Sequence, residues 1–152
     1  VSAEEKAEKL VLEYRNEIYR ARKRSSMLKV RPRIYFEEWD TPTFSAIRWV
    51  SELIEIVGGV DIFSEKSHGK LAKEREVQWS DVVEKNPDII LASWCGKAVD
   101  IDSMKQRPRW DEITAVKQNR IHELDPSIIL QPGPACLTDG LRAIQSLIWG
   151  DE

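Results

Sequence analysis

The chain has 152 residues, of which 41% are hydrophobic and 32% charged, and its formal net charge is −3. A domain of this length removes about 68–70% of its unfolded surface from water, so neither a metal nor a disulfide is needed for folding. The negative balance argues against a molecule that binds nucleic acid as a whole, and no apolar run reaches the length of a membrane span.

The first pattern is one long helix, Ser2 to Arg24. Ser2-Ala3-Glu4-Glu5 reads as a capping box. Ala3, Ala7, Leu10, Tyr14, Ile18 and Ala21 form an apolar stripe, widened by Val11. Acidic residues load the start and Arg20, Arg22, Lys23 and Arg24 the end, as the helix dipole favours. The basic stretch that continues to Pro32 and Arg33 lacks interleaved aromatics, so it reads as a solvated helix end and linker and not as a phosphate-binding patch.

Ile34-Tyr35-Phe36 then suits a buried strand. Polarity switches at Glu37-Glu38-Trp39-Asp40, which predicts a loop at the strand's C-terminal end. Thr41-Pro42 looks like a helix opening, with Phe44, Ile47, Val50, Leu53, Ile54 and Val57 at helical spacing and Gly58-Gly59 as the stop. Asp61-Ile62-Phe63 is a short apolar stub, and Ser64 to Arg75 a polar loop. Ser80 is expected to cap a short helix from Asp81 to Lys85. Asn86-Pro87 ends it, and Asp88 to Ser93 reads as a strand buried on both faces. That strand empties into Trp94-Cys95-Gly96-Lys97.

Ala98 to Arg107 is weakly helical, Arg107-Pro108-Arg109 is a break, and Trp110 to Val116 seats a short helix. Arg120 to Leu124 alternates as a third strand. Asp125 to Ile129 forms a third strand-end loop, and Leu137, Leu141, Ile144 and Ile148 mark a final helix. Helices alternating with strands argue for an α/β fold with a mostly parallel sheet between helical layers.

In a parallel sheet the strand-end loops gather on one edge. Here they collect Glu37, Glu38, Trp39, Ser93, Trp94, Cys95, Ser127, Ile128 and Ile129, an amphipathic surface suited to a large, flat, partly polar ligand. Catalysis is not expected. There is no glycine-rich phosphate loop and no Gly-x-Ser-x-Gly elbow. Adjacent Glu37 and Glu38 would face opposite sides of a strand. His68 and His122 lack zinc-type spacing with the cysteines, so no metal site and no cofactor is expected. Cys95 and Cys136 are read as free thiols.

Residues 31–40, 49–59, 86–96 and the Arg-Pro-x-Trp-x-x-Ile-x-Ala-Val segment at 107–116 resemble, in order and spacing, the C-terminal lobe of cobalamin-binding proteins. These belong to the helical-backbone substrate-binding proteins of ABC importers, which also carry ferric siderophores and haem. The resemblance implies two α/β lobes joined by a rigid helix, with residues 1–24 as that helix and 25–152 as the C-terminal lobe. The N-terminal lobe is then expected outside these residues, as is an export signal. It also implies a cleft faced by Trp39, Trp94 and Ser127 to Ile129, and a membrane permease as partner. Docking would fall at Ser80 and Asp81, where the family usually has a Glu.

A periplasmic or extracellular, membrane-associated location is implied by the same likeness. The expected ligand is cobalamin or another corrinoid, because siderophore pockets want Arg or Tyr and these loops offer carboxylates and Trp. A ferric siderophore or haem receptor is the alternative. A free-standing regulatory or enzymatic α/β domain, its first helix packed into its own core, is a reading from another class. The isolated lobe is expected to self-associate through its uncovered apolar faces.

Overall fold

The computed structural model describes residues 2–150. Val1, Asp151 and Glu152, which fall within the expected spans 1–24 and 25–152, lie outside the described residues. The fold is α/β, with three layers. A five-stranded sheet has the central order β2 (Thr43–Ser45), β1 (Arg33–Asp40), β4 (Ile89–Ala92), β5 (Ile121–Glu123), and β3 (Val60–Asp61) also pairs with β1. β1 runs parallel to β3 and β4, and β4 runs parallel to β5. β2 is antiparallel to β1.

Side-chain alternation along β1 divides the core. Ile34 and Phe36 point into one layer with Val50, Leu53 and Ile54 of α2 (Arg48–Ile56) and Ile144 of α7 (Leu141–Trp149). Tyr35 points into the other, with Val82 and Val83 of α3 (Trp79–Lys85), Met104 of α4 (Ile101–Lys105), Trp110, and Ala115 of α5 (Thr114–Lys117). β4 is buried along its whole length, as its continuous apolar run requires.

α1 (Ala3–Ser25) has the expected capping box, with Ser2 and Glu5 exchanging bonds. Its second half packs on the domain. Ala21 is buried, Glu17 pairs with Arg142 of α7 at 3.3 Å, and the Arg24 guanidinium lies over Trp149 at 4.7 Å. Ser2 to Glu13 are exposed throughout, and Leu10, Val11 and Leu12 stand in solvent. The apolar stripe is therefore covered only toward its C-terminal end.

Four local expectations change. The strand does not end at Phe36: β1 continues through Asp40, pairs with Ala92 of β4 and with β2, and turns at Thr41-Pro42 into β2. Thr41-Pro42 is a hairpin turn and not a helix opening. β2 has strand-forming Thr43 and Phe44, and α2 begins only at Arg48. α3 starts at Trp79, so Ser80 lies inside the helix, and Asp81 reaches back to accept the Gln78 N–H at 3.3 Å. Asp125 to Ile129 is not a loop: Asp125 caps a one-turn helix, α6 (Pro126–Ile129), by accepting the Ser127 N–H at 2.8 Å. The final helix is entered through a π turn, Cys136–Gly140, where a Cβ on Gly140 would run into the Ile128 carbonyl.

Candidate ligand-binding edge

β4 and β5 end side by side, β1 runs on past them from Glu38 to Asp40, and the segments leaving these strands are tied to one another. The Ser93 N–H donates to the Glu37 carbonyl at 2.9 Å, Leu124 N–H to Ala92 at 2.8 Å, and Val99 N–H to the Glu123 carboxylate at 3.0 Å. Lys97 crosses back to Asp40 at 2.8 Å. These bonds link the segments at the strand ends into one edge.

Beneath it lies a charged core. Glu37 is 0% exposed. Its carboxylate accepts both forks of the Arg107 guanidinium, at 2.7 and 2.9 Å, the Tyr35 hydroxyl at 3.1 Å and the Trp94 indole N–H at 3.2 Å. Arg107 is itself stacked between the Trp79 and Trp110 rings, at 4.7 and 4.4 Å. Burial pushes the Glu37 carboxyl above the usual range, against the lowering effect of Arg107, Tyr35 and Trp94. The Tyr35 phenol is pushed well upward by burial and by the neighbouring Glu37 charge. Glu38 turns to the opposite face, where Arg75 bridges it to the Ser45 carbonyl.

The predicted site residues thus divide. Glu37, Ser93, Trp94 and Ile129 are buried, and Glu38 is half-buried and paired. They brace the edge from below. Trp39 and Ile128 are half-exposed, and Cys95 and Ser127 are exposed. Trp39 and Trp94 do lie together: the Lys97 ammonium sits 5.0 Å from one ring centre and 4.7 Å from the other. Ser127 and Ile128 come after β5 at the same edge, while Ile129 turns into the layer of α1, α2 and α7, its carbonyl accepting the Trp49 N–H at 3.0 Å. Cys95 and Cys136 are free thiols. A hollow of about 430 Å³ beside the hairpin is lined by Pro42, Trp79, Ser80 and Pro108, which places Ser80 on its wall; Asp81 is half-buried next to it.

Sequence reading missed Arg107, Arg75 and Lys97. Arg107 looked like part of a helix break. Its signal was the run Tyr35-x-Glu37-x-Trp39, a period of two that carries a carboxylate into the core and so demands a buried cation.

The chain belongs to the periplasmic binding protein family, which residues 1–128 match. An uncharacterized ABC transporter substrate-binding lipoprotein of Bacillus subtilis is 29% identical over 89 residues, 55% of this chain and 27% of that protein. A possible iron-binding, periplasmic solute-binding protein of Staphylococcus epidermidis superposes with a TM-score of 0.79 at 23% identity, over 96% of this chain and 56% of that one. The periplasmic vitamin B12 binding protein of Vibrio cholerae does so with a TM-score of 0.63 at 19% identity, over 88% and 50%. The chain therefore spans about half the length of these solved structures.

Proposed function

We propose that this chain is one ligand-binding lobe of an ABC importer's substrate-binding protein, and that its edge forms one wall of a cleft for a flat metal-chelate macrocycle, a corrinoid first. The observation that carries the reading is Trp39: a half-exposed indole at the end of the central parallel strand, set on a base made rigid by the Glu37–Arg107 pair. An indole there offers a stacking face, and the exposed Cys95 and Ser127 supply polar contacts to its sides. The lobe binds and releases its cargo without covalent chemistry.

Three further features fit the same picture. The uncovered start of α1 suits a helix that joins this lobe to a second one outside these residues. Ser80 is exposed and the Asp81 carboxylate is held at the start of α3, which suits contact with a permease. Function would lie outside the cytoplasm at a membrane surface, in keeping with the lipoprotein relative.

A haem or ferric siderophore is the second reading, and one observation favours it. Three of the carboxylates expected to set the edge toward a corrinoid are paired: Glu37 with Arg107, Glu38 with Arg75, Asp40 with Lys97. The accessible charge that remains among these pairs is the Lys97 ammonium.

Titration calorimetry of the chain with cyanocobalamin and with a soluble metalloporphyrin tests the function. Weak saturable binding of one of them, lost in Trp39→Ala, is the expected outcome. Equal heats for the wild type and Trp39→Ala would sink the edge as a ligand wall.

A further inference from the structure

We propose that Lys97 is the specificity-determining residue of this edge: its ammonium leaves Asp40 to bind an anionic group carried at the rim of a macrocycle whose flat face stacks on Trp39. The inference rests on the proposed cleft function and names the chemistry the ligand must have.

Three ion pairs lie at or under the edge, and they differ in what breaking them would do. In Glu37–Arg107 the side chains are 0% and 6% exposed, and in Glu38–Arg75 they are 21% and 4%. Opening either would strand a charge inside the protein, so both are fixed structure. In Asp40–Lys97 the side chains are 25% and 44% exposed. Water receives both groups when that pair opens, so exchanging Asp40 for a ligand anion is close to free.

Position adds to exposure. The ammonium lies over both Trp39 and Trp94, so an anion that meets it is brought beside the Trp39 indole. Lys97 also comes directly after Gly96, which has φ +84° and no atom near where a Cβ would stand. The segment that carries the cation is thus open to solvent. Trp94 by contrast is held by its N–H bond to Glu37 and stays in place when the ammonium moves.

An anion at the macrocycle rim can come from two sources, the phosphate of a corrinoid nucleotide loop or the propionates of a porphyrin. The probes are cyanocobalamin, gallium protoporphyrin IX and, as a corrinoid without the phosphate, dicyanocobinamide. The readout is the ¹⁵N–¹H signals of the Trp39 and Trp94 indoles of the folded chain, wild type, Lys97→Met and Lys97→Arg. Expected is a saturable Trp39 shift with at least one anionic probe, weakened about tenfold or more by Lys97→Met and restored by Lys97→Arg. Dicyanocobinamide should bind the wild type and Lys97→Met alike. Which anionic probe responds identifies the source. Equal dissociation constants for the wild type and Lys97→Met with both anionic probes would overturn the role of Lys97 and leave the cleft reading standing. So would an equal loss with dicyanocobinamide, which marks Lys97 as structural. No Trp39 shift with any probe would overturn both.

Discussion

Glu37 is the residue on which the edge depends, because its charge is surrounded by protein and two of its partners, Trp94 and Arg107, come from distant parts of the chain. Removing one side of such a pair leaves the other buried and uncompensated, at a cost of about 3–5 kcal/mol. Arg107→Met should therefore lower unfolding free energy by that amount in urea titration, and the double variant Glu37→Met/Arg107→Met should recover a large part of it. A double variant as unstable as Arg107→Met would show that the pair is not what holds the edge. Asp61 adds a second buried carboxyl, which accepts the Ser51 hydroxyl at 2.6 Å and the Phe63 N–H at 3.0 Å. Burial raises its pKa above the unfolded value, against the lowering effect of those two bonds. The folded state therefore takes up a proton at higher pH than the unfolded one. Its ionisation costs stability above the folded pKa, and that cost is relieved as pH falls through it. As pH falls from neutral toward the ordinary aspartate value of about 4, the wild type should gain stability relative to Asp61→Asn. Melting curves that run parallel across that range would contradict this. At this scale the sequence concealed most of the site. A glutamate reads as solvent-facing until its cation is known, and Arg107 lies far along the chain.

Elements were easier to read where one signal acted alone. β4 is an uninterrupted apolar run between a turn and a tryptophan, and it lies where that run predicts. α1 agrees with its capping box and charge gradient. β1 and α2 were misread at their junction because Thr-Pro serves a hairpin turn as well as a helix start, and pairing with β1 decided between the two. Glu76 and Val77 then strap the outer side of β2: Phe44 bridges to Glu76, and the Val77 N–H donates to Thr43 at 3.0 Å. The start of α1 carries the prediction at this scale. Leu12 is 59% exposed, and Leu10 and Val11 lie beside it. Leu12→Gln and Val11→Gln should leave stability within about 0.5 kcal/mol of wild type, since both side chains are exposed. The same changes should weaken concentration-dependent self-association in analytical ultracentrifugation. A wild-type chain that sediments as a monomer at every concentration would refute the association.

On the proposed reading this chain supplies one wall, and a wall holds a ligand less tightly than a cleft. Ligand sites bury 70–90% or more of a drug-sized ligand, with contacts shared by the surfaces on either side. If a two-lobe receptor binds with about −10 kcal/mol and half of that is lost, affinity falls by roughly three to four powers of ten. Calorimetry with this chain should therefore give a dissociation constant from high micromolar to millimolar for cyanocobalamin or a metalloporphyrin. A submicromolar value would mean that the edge alone is a complete site. The alternation of helices and strands made the layered architecture legible at this scale. The ligand was not, because three of the carboxylates that pointed to a corrinoid, Glu37, Glu38 and Asp40, are paired with cations of the same lobe.

The exposed opening of α1 has a mechanical meaning. At 1.5 Å per residue, the exposed span from Ala3 to Glu13 is a helical rod about 16 Å long. If a second lobe is joined through this helix, as proposed, helical stiffness helps to set its distance and angle. Opening and closing such an assembly must then flex the rod or tilt its root against Glu17, Arg142 and Trp149. A glycine pair placed midway along it would loosen that lever and leave every contact of the lobe as it is.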